Sequence, residues 1–217
     1  MKKIGVVLSG CGVYDGSEIH EAVFTLLAID KNGAEAVCTA PDMELSEVDH
    51  LSGEATGAKR NVLVESARIA RGKIRNIKEV RADDLDAVVF PGGYGAAKNL
   101  CNFAEKGAEA TIHPEVARLL RDMAAAGKPI CAICIAPALI AATLGKAYKP
   151  RVTIGTDAGT AAAINLTGSE HVECPVREFV VDRENKIVTT PAYMLAERIS
   201  EAAEGIEKAV KAVIELI

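Results

Sequence analysis

The stretch that decides the fold runs from Gly127 to Leu139 and reads GKPICAICIAPAL. A Gly-Lys-Pro break leads into an apolar run that is too short for a helix, so this run predicts a buried strand. Pro137 is tolerated in a first helical turn, and the Ala, Leu and Ile residues after it predict a helix. Cys134 therefore lies at an abrupt turn between a strand and a helix, which is the geometry of a nucleophile elbow.

An elbow has chemical consequences for the residue at its tip. The turn lifts the Cys134 side chain above the sheet edge, and the N-terminus of the following helix supplies N–H donors and partial positive charge. These features favour the thiolate over the thiol, and the thiolate is the nucleophilic form of cysteine. We expect Cys134 to act as a nucleophile.

Apolar strands alternate with helical patterns along the chain, which is typical of a parallel sheet covered on both faces. The fold class is therefore α/β, and 217 residues with 49% hydrophobic content fit one domain over residues 1–217. Predicted strands cover residues 2–9, 34–39, 85–90 and 151–154, and predicted helices cover 61–70, 114–126 and 156–166. A hairpin joining residues 178–181 to 186–189 and a closing helix over 194–217 complete the pattern, while 42–58 form an acidic excursion.

Composition excludes several classes of protein. The net charge is −5 and no basic stripe is interleaved with aromatic residues, so nucleic acid is not an expected partner. The first apolar run is too short for a signal peptide or a membrane span, which predicts a soluble protein that is cytoplasmic or is imported without a visible targeting sequence. Six cysteines lie scattered in mostly apolar runs, so we expect reduced thiols rather than a disulfide framework.

Three loops are expected to meet at the carboxyl ends of the strands, where open α/β sheets bind ligands. They are residues 10–21, residues 91–95 and the elbow. Pro-Gly-Gly after a buried strand is often an ordinary tight turn, but it also lets backbone N–H groups approach a ligand closely. Beside an elbow, the N–H of Gly92 or Gly93 and the N–H of Ile135 would stabilise an oxyanion.

The segment 17-SEIHE-21 carries candidate acid–base groups. Ser17 is the predicted N-cap of a helix whose apolar positions are Ile19, Val23, Leu26 and Leu27. Glu18 suits a first helical turn without any further role. Glu21 lies one turn deeper, and burial there would raise its pKa so that it could transfer protons. His20 is expected to be a surface residue.

Two other motifs have competing interpretations. Cys131 and Cys134 form a C-x-x-C pair, but Cys131 falls inside the predicted strand, so a redox pair is less favoured than a nucleophile. No second pair of ligands with metal spacing follows, so no metal is predicted. Gly10, Gly12 and Gly16 have the wrong spacing for a dinucleotide loop, for which Asp42 would be the ribose acid. No cofactor is predicted.

The elbow sequence AICIA, the Pro-Gly-Gly loop and the helical Glu21 resemble the class I glutamine amidotransferase-like superfamily, on its protease and deglycase branch. Three longer strings are similar to the isoprenoid biosynthesis glyoxalases, also called enhancing lycopene biosynthesis proteins. They are SGCGVYDGSEIHEA at 9–22, PGGYGAAKNL at 91–100 and IVTTPAYMLA at 187–196. The resemblance runs over essentially the full length and implies a flavodoxin-like three-layer sandwich, often as a homodimer.

This resemblance implies a nucleophile at Cys134, a carboxylate partner at Glu21, and an oxyanion pocket at Gly93 and Ile135. Many relatives carry a histidine shortly after the elbow helix, whereas residues 135–170 here contain none, which argues against triad hydrolysis. The implied activity is a glutathione-independent glyoxalase of the hydro-lyase type, which converts a small dicarbonyl, glyoxal, to glycolate without a metal. The alternative is a non-enzymatic or redox-sensing regulator of isoprenoid metabolism that uses the same cysteine.

Overall fold

A seven-stranded sheet lies at the centre of the computed structural model, which describes all residues from 1 to 217. The strands are β1 (Lys3–Val7), β2 (Glu35–Ala40), β3 (Glu44–Val48), β4 (Ala55–Asn61), β5 (Arg75–Asn76), β6 (Ala87–Phe90), β7 (Ile130–Ile133), β8 (Arg151–Val152), β9 (Glu170–His171), β10 (Val180–Asp182) and β11 (Ile187–Thr190). The α-helices are α1 (Ile19–Lys31), α2 (Val62–Ile69), α3 (Tyr94–Lys98), α4 (Phe103–Lys106), α5 (Pro114–Ala125), α6 (Pro137–Tyr148), α7 (Ala158–Leu166) and α8 (Ile199–Glu215). Short 3-10 helices cover Ile77–Glu79, Ala82–Asp84, Gly107–Glu109 and Ala192–Met194.

The order of strands in the sheet places the site. It is β10-β11-β7-β6-β1-β2-β5, and every neighbouring pair is parallel except β10 with β11. Because β1 pairs with β2 on one side and with β6 on the other, the winding direction reverses between β1 and β6. Ligands bind at such switch points, outside the carboxyl ends of the strands.

Helices cover both faces of the sheet and enclose two apolar cores. One core packs buried side chains of α5 and α6, such as Leu119, Leu120 and Leu139, against the sheet. The other packs α1 and α8, including Ile29, Ile206 and Val210. The predicted three-layer, mostly parallel α/β fold is therefore confirmed.

Helix α1 differs from its prediction in two ways. Its N-cap is Glu18, whose carboxylate accepts a hydrogen bond from the N–H of Glu21, whereas the Ser17 hydroxyl accepts from the N–H of Ser9. The large apolar residues Ile19, Val23 and Leu27 are 43–48% exposed, whereas Ala22, Thr25, Ala28 and Ile29 are buried and Leu26 packs partly against the core. Three of the four predicted apolar positions therefore lie on the exposed face of α1, and its small buried side chains allow it to lie close to the sheet and α8.

The acidic excursion at 42–58 contains a structured hairpin formed by β3 and β4. Arg60 on this hairpin forms ion pairs with Asp15, Glu47 and Glu65, and the Asp15 carboxylate also accepts from the N–H of Val48. The hairpin is thereby tied to the loop between β1 and α1, which is one of the three loops expected at the site.

The C-terminal third follows its prediction with one shift. The hairpin of β10 and β11 is confirmed, while the closing helix begins at Ile199 rather than 194 because a 3-10 turn occupies Ala192–Met194. This turn contains Ala192, a buried residue with a φ of 43°. None of the helices is both long and apolar enough to cross a lipid bilayer.

Candidate functional site

Cys134 occupies a strained turn at the carboxyl end of β7. Its φ is 62°, in the left-handed region that costs energy for any residue with a Cβ. The N–H of Cys134 donates to the carbonyl of Thr190 at 2.9 Å, which ties the turn to the end of β11. Three residues later Pro137 begins α6, so the strand-turn-helix arrangement predicted from the sequence is confirmed. Strain at a turn of this kind is typical of functional sites.

The Glu21 carboxyl is fully buried beside Cys134. Its Oε2 accepts a hydrogen bond from the N–H of Gly92 at 2.9 Å, and its Oε1 accepts from the N–H of Tyr193 at 3.2 Å. The Cys134 side chain lies next to this carboxyl, close enough for the two groups to shift each other's pKa. These contacts come from three separate loops, so the orientation of the carboxyl is fixed by the fold rather than by its own helix.

Burial holds protons on both members of this pair. It raises the pKa of Glu21 from 4.5 to about 8, with a further contribution from the nearby Glu18 carboxylate, whereas the N–H donors act in the opposite direction. Burial and then the Glu21 carboxylate raise the pKa of Cys134 well above its usual range. The expectation that the elbow favours a thiolate in the resting protein is therefore wrong, because desolvation outweighs the N–H donors.

Two backbone N–H groups converge on the sulfur, those of Gly93 and Ile135, and both act to lower the Cys134 pKa. They lie on the two loops from which an oxyanion pocket was predicted. The N–H of Gly92 was also considered as an oxyanion donor, but it already donates a hydrogen bond to Glu21. The structure thus brings together Cys134, Glu21, Gly93 and Ile135, and it makes Gly92 a support for the carboxyl rather than an oxyanion donor.

The backbone at Gly92 lies against the side chains of Cys134 and Glu21. A Cβ at this position would come within 2.5 Å of the Cys134 Cβ and 2.7 Å of Glu21 Oε2. Those separations are far below van der Waals contact, so a side chain would displace the thiol or the carboxyl. Glycine is required here by the close approach of three chain segments.

A cavity of about 410 Å³ opens in front of Cys134. Its polar lining includes Glu18, Thr160 and Tyr193, and nine of its twelve lining residues are hydrophobic. Tyr193 lines the cavity, whereas Lys98, Asn99 and His113 lie outside its lining. Asn99 instead donates to the carbonyls of Ser9 and Asp15 and so holds the first loop in place.

His20 is exposed, as predicted, and it also contacts the lining of the cavity. Its Nδ1 lies 2.7 Å from Tyr193 Oη. Tyr193 follows Pro191 at the carboxyl end of β11, beside the elbow strand. Its place after a buried strand at this edge is the signal that could have identified it.

The Cys131–Cys134 pair and the glycine-rich loop with Asp42, which had competing interpretations, can now be examined in the structure. Cys131 is fully buried within β7, and burial raises its pKa to about 12. The N–H of Gly10 donates to the Ser66 hydroxyl, and the Asp42 carboxylate accepts from the Asn61 amide. Nowhere does the chain group three or more His, Cys, Asp or Glu side chains in a way that could hold a metal ion.

Comparison with known proteins agrees with this geometry. Residues 13–196 match the sequence model of the DJ-1/PfpI family. The chain belongs to this family. Among solved structures, this DJ-1/PfpI protein is similar to an isoprenoid biosynthesis protein with an amidotransferase-like domain from Ehrlichia chaffeensis. The TM-score is 0.94 at 39% identity, and the match covers 100% of this chain and 99% of the other. The predicted superfamily is thereby confirmed.

Two mammalian relatives share the same fold family over nearly the whole chain. The human glutamine amidotransferase-like class 1 domain-containing protein 3, mitochondrial, is 45% identical over 99% of this chain and 83% of its own length. The rat ES1 protein homolog, mitochondrial, is 44% identical over 99% and 84%, respectively. Both names specify mitochondria, which contradicts the expectation that this DJ-1/PfpI member is cytoplasmic.

Proposed function

We propose that this protein is a cofactor-independent glyoxalase that converts glyoxal to glycolate, with Cys134 as nucleophile and Glu21 as proton carrier, acting as one domain over residues 1–217. The observation that carries the proposal is the buried Glu21 carboxyl, which two backbone N–H groups hold in place beside the Cys134 side chain. A carboxyl with a pKa of about 8 can both accept and return a proton near neutral pH.

The reaction begins when the pair loses one proton. Because Glu21 and Cys134 lie side by side and titrate as a coupled pair, the remaining proton can lie on the carboxyl and leave the sulfur as thiolate. The thiolate attacks one aldehyde carbon, and the N–H groups of Gly93 and Ile135 stabilise the resulting alkoxide. The Glu21 proton then neutralises that oxygen.

Glu21, now a carboxylate, next moves a proton between the two carbons. It removes the proton from the carbon bonded to sulfur and returns it to the neighbouring carbonyl carbon, while the hydroxyl proton on the first carbon passes to the oxygen of the second. The first carbon is thereby oxidised to a thioester and the second is reduced to an alcohol, so no external oxidant or reductant is needed. Water then cleaves the C–S bond, which releases glycolate and restores the thiol.

The redox-sensing alternative has less support. A sensor cysteine oxidises readily when it is exposed and has a low pKa. Cys134 is 7% exposed, and burial raises its pKa.

The link to isoprenoid metabolism is supported only by the name of the Ehrlichia relative and remains part of the proposal.

Glycolate production from glyoxal, measured without glutathione or added metal, tests the proposal. Wild type and Cys131→Ala should turn over, because Cys131 is a thiol buried within the strand behind the elbow. Cys134→Ala should fall to the background rate while keeping the wild-type circular dichroism spectrum. Equal rates in wild type and Cys134→Ala would contradict the proposed function.

We also propose that the protein is a homodimer. Ile19, Val23 and Leu27 form an exposed apolar stripe along α1, one helical turn apart from each other. A second copy of the same helix would cover this stripe symmetrically. Light scattering should give a dimer for wild type and for Leu166→Lys, a matched change on exposed α7. Val23→Lys should give a monomer, and an unchanged dimer would contradict the placement on α1.

A further inference from the structure

The side chain of Asn99 bridges the loop between β1 and α1. Its amide nitrogen donates to the carbonyl oxygens of Ser9 and Asp15, at 2.8 Å in each case. These carbonyls belong to the two ends of the loop, so a single amide group sets the distance between the ends. Asn99 itself follows the last residue of α3, and its backbone N–H donates to the carbonyl of Gly95.

The bridged loop in turn holds the first turn of α3. The N–H of Tyr94 donates to the carbonyl of Val13 at 2.8 Å, and the N–H of Gly95 donates to the carbonyl of Gly16 at 2.9 Å. Helix α3 has five residues and is too short to be stable alone, so its position depends on such tertiary bonds. Gly93 is the N-cap of this helix and is therefore placed by the same bonds.

Gly93 joins this loop to the thiol. A Cβ at Gly93 would lie 2.5 Å from the carbonyl oxygen of Gly16 and 2.4 Å from the backbone nitrogen of Glu18, so its backbone is pressed against the end of the loop. The N–H of Gly93 faces the Cys134 sulfur and acts to lower the Cys134 pKa. A change in the width of the loop would therefore shift this N–H relative to the sulfur.

We propose that Asn99 is a positioning residue, which holds the Gly93 N–H at the Cys134 sulfur by bridging Ser9 and Asp15. Asn99 lies outside the cavity lining, so its effect on the sulfur passes through the loop and α3. A donor aimed at the sulfur favours the thiolate and then the alkoxide that forms beside it. The part of this inference that concerns turnover rests on the proposed function.

The loop has other anchors, so the chain should fold without the Asn99 amide. The N–H of Gly10 donates to the Ser66 hydroxyl, and the Asp15 carboxylate pairs with Arg60. Both contacts involve groups that Asn99 does not touch. Removal of the amide should therefore loosen the alignment of α3 while the sheet and the hairpin of β3 and β4 keep the loop in place.

Alkylation of Cys134 by iodoacetamide tests the positioning step without any turnover. Peptide mass spectrometry gives its rate against pH in wild type, Asn99→Ala and Asn32→Ala. Asn32 is the matched control, because its amide donates at 2.8 Å to the carbonyl of Ala28 at the other end of α1.

In Asn99→Ala the alkylation rate at pH 8 should fall about tenfold, and its rise with pH should move about one unit higher, because one unit is a tenfold change in thiolate fraction. Asn32→Ala should stay within twofold of wild type. An unchanged or faster rate in folded Asn99→Ala, or the same loss in Asn32→Ala, would overturn the proposal.

Glyoxal turnover provides the second arm. The kcat of Asn99→Ala should fall about 10- to 100-fold as the oxyanion donor moves, whereas KM should change less than about threefold. Asn99→Asp keeps the shape of the side chain but lacks its N–H donors, so it should show the same losses. A loss confined to KM would overturn the proposal. If wild type itself fails to turn over glyoxal, the proposed function fails, while the alkylation rates still decide the role of Asn99.

Discussion

His20 Nδ1 and Tyr193 Oη lie 2.7 Å apart, and their hydrogen bond joins the first turn of α1 to the turn that precedes α8. The Tyr193 hydroxyl therefore has an acid–base partner, and the Tyr193 backbone N–H also holds the Glu21 carboxyl. His20 is about half exposed, so the pair provides a path from the cavity lining to solvent. We expect this pair to activate water for hydrolysis of the thioester.

Tyr193→Phe removes this hydroxyl while keeping the ring and the N–H bond to Glu21. If the pair activates water, kcat for glyoxal should fall about 10- to 100-fold with little change in KM. Mass spectrometry of the quenched reaction should then detect an accumulated acyl adduct on Cys134. An unchanged kcat would show that the hydroxyl has no part in the slow step.

Activity should depend on pH through the Glu21–Cys134 pair. Below about pH 8, both groups are protonated and the pair contains no base, because burial raises both pKa values. The value of kcat/KM should therefore rise with pH, by up to about tenfold per unit, and level off above about pH 8. Initial rates from pH 6 upward give this profile, and a profile that is flat below pH 7 would contradict it.

The same pKa affects the free energy of unfolding. The carboxyl of Glu21 binds its proton more tightly in the folded chain, with a pKa of about 8 against 4.5 for the unperturbed group. Its protonation stabilises the fold fully below about pH 4.5, and this contribution is lost as the pH rises to about 8. Glu21→Gln cannot ionise, so its stability relative to wild type should improve with pH.

Urea denaturation of Glu21→Gln and wild type at pH 5 and pH 9 measures this effect. The difference in unfolding free energy should move in favour of the variant by on the order of 3 kcal/mol between the two pH values. The change with pH is the relevant quantity, because the amide also loses one acceptor for the N–H groups of Gly92 and Tyr193. A difference that is independent of pH would contradict a raised Glu21 pKa.

Gly92→Ala should inactivate the protein without unfolding it. The new Cβ would lie 2.5 Å from the Cys134 Cβ, so the elbow or the carboxyl must move. We expect a loss of more than about 100-fold in kcat/KM and a destabilisation of about 1–3 kcal/mol. Gly159→Ala is the matched control, since its Cβ would meet no atom closer than 3.6 Å. Retained activity in Gly92→Ala would show that the elbow can move to accommodate the new Cβ without losing its function.

The proximity of Cys134 and Glu21 could be predicted from the sequence because both residues follow local rules. The elbow could be predicted from a short apolar run and Pro137, and Glu21 from its depth in a helix next to a glycine loop. Tyr193 and His20 could not be paired this way, because their contact joins residues 173 positions apart. The protonation state of Cys134 was predicted wrongly, because it depends on how completely the surrounding loops exclude water.

The face of α1 was mispredicted for a related reason. Large apolar side chains are the usual mark of a core face, yet Ala22 and Ala28 fill that role here. The close packing of α1 against α8 selects small residues, and this selection depends on a tertiary neighbour far away in the chain. Hydrophobic periodicity can report that a helix is amphipathic without reporting which neighbour lies beside it.

Part of the cavity lining, formed by Ala97, Phe103 and Ala104, comes from a different segment of the chain than Cys134 and Glu21. Cys134 and Glu21 lie on the elbow and α1, whereas α3 and α4 lie together within residues 94–106. Substitutions in that short stretch can change what fits beside the thiol without altering the thiol, its carboxyl partner or the sheet beneath them. Descendants of such a chain could acquire new preferences among electrophiles by small mutational steps while inheriting the same chemistry.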